Sequence, residues 1–252
     1  MVSHDSDSQM FSWMQDFLDS PHFSQATVRI YRAGLDVFNR WCFSSGIVIP
    51  CEHHLVCFRR WLLDNYKIST ASTYLVSVKL FFSWLGKHGY HQDIAQDIPG
   101  IKVDRSIPRR DYLGEKEIRF LLKRMSRNAE KSHNIITIRN YLMVLLMVSC
   151  GLRVSEVARL NVDDLYMSSE THRLQVHGKG RDGKSDTVNV PKEVVSEIFR
   201  WFEMLGTLHR GMPMFMSLGR NNTGGRLCSR TISQIVKRAL REAGFDSPRL
   251  TA

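Results

Sequence analysis

No apolar run in this sequence approaches the roughly 20 residues that a bilayer span requires; the longest occupies positions 141–150 only. The opening residues, Met1-Val2-Ser3-His4-Asp5-Ser6-Asp7, lack both the basic start and the apolar stretch of a secretory signal. Cysteine is scarce as well: Cys42, Cys51, Cys57, Cys150 and Cys228 are an odd, scattered set in 252 residues, which argues against a disulfide framework and for reduced thiols. The single local cluster, Cys51-Glu52-His53-His54-Leu55-Val56-Cys57, lacks the usual zinc-ligand spacing. On one continuous helix its two cysteines point to different sides, so no metal site is expected there. These absences lead to the expectation of a soluble, cytoplasmic protein that needs no membrane and no disulfides.

Basic residues are unevenly distributed. Positions 1–104 hold nine Lys and Arg against ten Asp and Glu, whereas 105–252 hold 26 against 15, so the whole net charge of +10 originates in the second part. A localised positive field of this kind suits a polyanion, because each phosphate neutralised releases counterions and adds affinity without reading sequence. A merely basic surface is the plainer alternative. With 43% hydrophobic and 24% charged residues, the composition is that of a globular chain with enough apolar mass for one large or two ordinary cores.

Helical periodicity dominates the first part. Phe11, Trp13, Met14, Phe17 and Leu18 form one stripe; Thr27, Val28, Ile30, Tyr31, Leu35, Phe38 and Trp41 form a second behind the capping candidate Ser24. A third helix is expected over 52–66, and a fourth from about Ser69 to Gly86 or Gly89. The stretch 97–111 then combines Pro99, Gly100 and Pro108 with Lys102, Arg105, Arg109 and Arg110 and shows no apolar period, the composition of a basic linker. It could track a phosphate backbone or be a solvated charge run. Beyond it, helices are expected around 115–125 and over 135–150. Alternation at 173–177 and 186–190 around Gly178-Lys179-Gly180-Arg181-Asp182-Gly183 predicts a β-hairpin. Pro191 starts a helix carrying Val194, Val195, Ile198, Phe199, Phe202 and Leu205, and Ser229 is a good N-cap for a last helix over 230–243.

One stretch carries chemistry. Cys150-Gly151-Leu152-Arg153-Val154-Ser155-Glu156 sets an arginine and a glutamate at the mouth of a helix directly behind a buried apolar one. Exchange at a phosphodiester builds negative charge on nonbridging oxygens, and a guanidinium fork matches two of them at once. Glu156, three residues after Arg153, shares its helical face and can hold the guanidinium in place. The plain reading is an ordinary surface ion pair. A lysine on a mobile glycine turn, Lys179, can reach a leaving oxygen as a general acid, although Arg181 and Lys184 occupy the same turn.

Gly151–Leu160 together with the glycine-flanked hairpin resembles the first catalytic box and lysine hairpin of the tyrosine recombinase (phage integrase) family, in its simpler Xer-like form. The resemblance implies a mainly α fold with a small β-hairpin or sheet. In it a helical, SAM-like core-binding domain over 8–96 and the linker 97–111 lead to an α+β catalytic domain over 112–252. It implies site-specific DNA recombination or integration, of the kind mobile genetic elements use, through a 3′-phosphotyrosyl intermediate and without a cofactor or metal. Carried over by position, it makes Arg153, Glu156 and Lys179 the catalytic set. Arg29, Arg32, Lys79, Arg105, Arg109, Arg110, Arg181 and Arg230 become contacts to double-stranded DNA.

Two family features are missing: none of the ten histidines has an arginine three places on, and no tyrosine follows Tyr166. The catalytic domain is therefore expected to be incomplete at its C-terminus, so that the chain binds DNA without forming a covalent adduct and self-associates only weakly. Three readings stay open: a recombinase, a non-catalytic integrase-like DNA-binding protein, and a helix-turn-helix regulator, which leaves the hairpin unexplained.

Overall fold

The computed structural model describes residues 3–104, 106, 110–168, 171–178, 183, 186–219 and 223–250. The chain divides into two compact units, Met1–Ile107 and Pro108–Ala252.

The first unit is four helices: α1 (Ser3–Leu18), α2 (Gln25–Ser44), α3 (Glu52–Asn65) and α4 (Ile68–Lys87). Ser24 caps α2 as its sequence position suggests, its hydroxyl accepting the Thr27 amide at 3.2 Å. The stripes converge on an aromatic core in which Phe38 meets Phe58 and Phe82 edge-on, with ring centroids 5.0 and 5.8 Å apart. Helices α2 and α4 approach closely at Gly34, where an added Cβ would lie 2.0 Å from the Ser77 hydroxyl oxygen and 3.1 Å from the Tyr74 Cα. Positions 98–101, assigned above to the linker, are held against these helices. Arg59 Nε donates to the Pro99 carbonyl at 3.0 Å and the Ser72 hydroxyl to Ile101 at 3.3 Å, while the Lys79 ammonium donates to the Ile98 carbonyl. The buried side chains of Ile98 and Ile101 complete the attachment.

The second unit is built around α6 (Ile135–Ser149), which packs against α5 (Glu115–Ser132), α7 (Val154–Arg159), α8 (Lys192–Leu205) and α9 (Ser229–Glu242). Its strands, β1 (Leu165–Met167), β2 (His172–Val176) and β3 (Asp186–Asn189), form one antiparallel sheet in that order, with Leu174 opposite both Leu165 and Val188. The two predicted strands pair antiparallel, β2 lying one residue earlier than expected and β3 starting as expected but ending one residue sooner, and β1 is an unpredicted third strand. Two further expectations are corrected. In α8, Phe199 is exposed and Trp201 fills the core instead, its indole N–H donating to the Met214 carbonyl at 2.8 Å. The N-cap of α9 is Cys228, with Ser229 already helical.

Among the described residues three charged side chains are buried, Arg139, Glu156 and Asp164. The buried Arg139 donates to the Met216 carbonyl at 2.7 Å and twice to the Asn140 Oδ1, at 3.2 and 3.0 Å. Burial holds its pKa below the ordinary guanidinium value.

Because both Ser77 and the α4 backbone crowd the Gly34 position, Gly34→Ala should cost about 1–3 kcal/mol of unfolding free energy. Ser77→Ala in the same chain should recover part of that loss, since it removes the nearest atom while leaving the α4 backbone in place. Urea unfolding of the two single variants and the double variant tests this; additive losses would contradict the close packing.

Candidate active site

Helix α6 ends at Cys150, and Gly151 turns the chain with φ = 65°, a left-handed value that glycine adopts without strain. The buried Leu152 anchors the turn, and Arg153 then becomes the N-cap of α7. Glu156 is the third residue of that helix. One of its carboxylate oxygens, Oε2, accepts the Arg153 amide at 2.7 Å; the other, Oε1, accepts from the Arg153 guanidinium at 2.6 Å. The glutamate side chain is only 8% exposed, whereas that of Arg153 is 66% exposed.

This asymmetry separates the pair from a loose surface ion pair. The carboxylate is fixed by burial and by a backbone hydrogen bond, so it holds one edge of the guanidinium while the remaining N–H groups face outward. Among the described residues nothing else engages that guanidinium. A half-restrained, outward-facing fork fits two oxygens of a phosphate.

Helix α7 is held at its other end as well. The Arg226 guanidinium donates to the carbonyls of Ala158 and Leu160 at 3.1 and 2.9 Å and to the Asn161 side chain. Backbone bonds from Val162 to Met212 and from Met214 to Leu160 fix the same junction. Sequence reasoning missed Arg226, whose partners lie more than 60 positions upstream. Helix α9 packs on α7 and turns Arg230, Gln234, Lys237 and Arg241 to solvent at spacings of four, three and four. Only Arg230 was singled out from the sequence, although the helical period of the other residues was there to read. Arg241 lies 3.5 Å from Asp246, and both are well exposed.

The other sequence candidates are dispersed. Arg29 is exposed on α2; Arg32 is half-buried and donates to Gln15 Oε1 at 3.1 Å; Lys79 is half-buried on Ile98; Arg110 is exposed at the start of the second unit. Lys179, Arg181, Arg105 and Arg109 lie outside the described residues. In the Cys51–Cys57 cluster, His54 Nδ1 accepts the Cys51 amide at 3.1 Å and Cys57 Sγ stands 3.6 Å from His53 Nε2. Among the described residues no three His, Cys, Asp or Glu side chains gather as a metal site, and no helix is long and apolar enough to cross a membrane.

An arginine fork at a helix mouth, a three-stranded sheet in the same unit and a basic helix packed alongside agree with what comparison with known proteins finds. Residues 111–252 match the phage integrase family, and the chain belongs to that family. It is 24% identical over 238 residues to tyrosine recombinase XerA of Pyrococcus furiosus, covering 94% of this chain and 75% of the relative. Over 258 residues it is 26% identical to tyrosine recombinase XerD of Proteus mirabilis, with the same coverage. The fold is that of the XerH site-specific recombinase solved on a palindromic difH substrate in a post-cleavage complex. The TM-score is 0.73 at 16% identity, covering 100% of this chain and 83% of that one. It is also that of a lambda integrase fragment (residues 75–356) solved as a dimer on a COC′ core site, with TM-score 0.67 and 16% identity over 96% and 84% of the chains.

Removing the Glu156 carboxylate leaves a buried amide at Arg153 without its acceptor, so Glu156→Ala should cost about 1–3 kcal/mol, and Glu156→Gln, which retains one acceptor oxygen, clearly less. Denaturant melts measure both; equal losses would show that packing, not hydrogen bonding, is what the residue supplies. The cysteines provide a second check. Burial pushes the Cys42 thiol up to about 12 and that of Cys150 up to about 11, whereas hydrogen bonding from Thr231 holds the exposed Cys228 thiol below its ordinary value. More thiolate at pH 8 means faster alkylation. Iodoacetamide followed by peptide mass mapping should modify Cys228 well before Cys42 or Cys150.

Proposed function

We propose that this chain acts in site-specific DNA recombination of the tyrosine recombinase type, with the second unit as its catalytic domain. The observation that carries the reading is the Arg153 fork, fixed on one edge by a buried glutamate and open on the other, in a chain that belongs to the phage integrase family. In this reading a tyrosine phenolate attacks the phosphorus, the P–O5′ bond breaks, and a 3′-phosphotyrosyl link and a 5′ hydroxyl result. Arg153 neutralises the charge that accumulates on the nonbridging oxygens. Glu156 does not touch DNA; it positions Arg153. Lys179 is proposed to hand its proton to the departing 5′ oxygen. Attack of a partner strand's 5′ hydroxyl on the phosphotyrosine reverses the chemistry and completes the exchange.

Double-stranded DNA is the proposed partner, and relatives solved as a dimer and as a tetramer on DNA support self-association on the substrate. The domain assignment is 8–96 for DNA binding, 97–111 for the linker and 112–252 for catalysis. Within the second unit, the stripe on α9 is the proposed duplex contact, because a straight helix with cations along its solvent face can enter a groove or follow a backbone. Arg29 and Arg110 are proposed as further phosphate contacts.

Duplex binding across a salt series tests the first part: each of Arg230→Ala and Lys237→Ala should weaken affinity and reduce the slope of log K against log salt by about one. An unchanged slope would remove α9 from the interface. The chemistry is tested on a nicked suicide duplex with the natural protein that carries this sequence. Its Arg153→Ala variant should lower covalent adduct formation by about 100-fold or more with little loss of DNA affinity. A 5′-phosphorothiolate leaving group, which needs no proton, should restore cleavage by Lys179→Ala. Adduct formation by Arg153→Ala at the normal rate would refute the assignment.

A further inference from the structure

Helix α5 has a face that the proposed site does not use. Its inner side carries Leu121, Leu122, Met125 and Ala129 into the core, and half a turn away Lys116, Phe120, Lys123, Arg127 and Lys131 fall on one line. The line runs about 22 Å at 1.5 Å per residue. All five residues are exposed, Phe120 by 51%. The helix's acids are engaged elsewhere: Glu115 pairs with Arg119 at 2.7 Å, Glu117 accepts the Gly114 amide at 2.7 Å, and Glu130 accepts the Ser126 hydroxyl at 2.8 Å. Among the described residues none of the four cations on the line forms an ion pair.

The line is also concave. A depression of about 300 Å³ lies along α5 beside Phe120, and a second of about 230 Å³ opens next to it, the two sharing Arg124 and Asn128. The second reaches the start of α6 at Ile136 and the flank of α9 at Ile235 and Arg238, with Glu242 the one acid on its wall. Its apolar lining is Met125, Ile136, Ile235 and Ala239, and Ile136 is 39% exposed. The result is a groove with an apolar bed and a mostly cationic rim.

We propose that this groove docks an acidic, amphipathic helical segment of a partner protein, seating apolar anchors over Phe120 and Ile136 and carboxylates against Lys123, Arg127 and Arg238. A phosphate backbone would satisfy the cations but set charged surface on the apolar bed. An amphipathic segment satisfies both, and exposed aromatics flanked by arginines are what anchors such segments.

The test uses the full chain and a fluorescent 18-residue helical peptide with leucines on one face and glutamates on its flanks. Its controls are a shuffled peptide of the same composition, a version with the leucines changed to serine, and a DNA duplex of 20 base pairs. The ordered peptide should bind at least tenfold more tightly than either control peptide. Both Phe120→Ser and the pair Lys123→Glu with Arg127→Glu should weaken it by tenfold or more, and the charge-reversed chain carries the test if Phe120→Ser fails to fold. The salt slope for duplex binding should stay as it is in the unaltered chain, which keeps this outcome separate from the α9 assignment. Equal binding of ordered and shuffled peptides would reduce the groove to nonspecific charge. A flattened duplex slope in the charge-reversed chain would assign the face to nucleic acid, and self-association in sedimentation that Phe120→Ser abolishes would assign it to a second copy; either overturns the proposal.

Discussion

A single carboxylate organises the catalytic end of the second unit. Glu156 is buried at the start of a six-residue helix, and both of its oxygens are taken by the same residue, one by the Arg153 amide and the other by its guanidinium. Burying that charge is tolerable only because it is doubly hydrogen-bonded and adjoins a cation. The consequence for Arg153 is directional: its backbone and one edge of its side chain are fixed together, so the exposed edge has a defined aim. Everything around the pair serves that arrangement, from the left-handed turn at Gly151 to the packing of α6 beneath it.

The helical framework was readable because it rests on period. The four helices of the first unit, the Ser24 cap and the buried α6 were all expected from apolar spacing, and the Gly151-Leu152-Arg153 box placed the arginine and its glutamate on one short helix. The failures have local causes. Strand β1 is three consecutive apolar residues, Leu165-Tyr166-Met167, without the alternation that marks a half-buried strand. In α8, Phe199, Trp201 and Phe202 stand so close in sequence that the stripe admits two phases, and packing chose the one that buries the indole against Met214. Cys228 and Ser229 are adjacent helix starters, and the backbone selected the first.

Long-range contacts left no trace in the sequence. Nothing in the local sequence distinguishes Arg226 and Arg139 from surface cations, yet one closes the end of α7 and the other lies buried on Met216. Lys79 read as an exposed helix cation and is instead half-buried on the Ile98 carbonyl, because the stretch after α4 folds back along the first unit. Charge in this chain thus has three destinations: a few arginines are structural donors to carbonyls, the α9 stripe faces outward beside α7, and the α5 line borders an apolar groove. Net charge alone distinguishes none of them.

Helix α7 is too short to persist on its own, since nucleating a turn costs more than so few hydrogen bonds return. Its order is borrowed from its two ends, Glu156 on Arg153 at one and Arg226 on the last carbonyls at the other. The second fastening comes from the segment that follows Met216, far away in the chain. Loss of the Arg226 contacts would leave the last α7 carbonyls without those donors, which couples the helix to the residue that fastens it. Amide exchange in α7 therefore reports on the fastening at Arg226 as much as on the helix itself, and the working geometry of Arg153 is only as durable as that distant guanidinium.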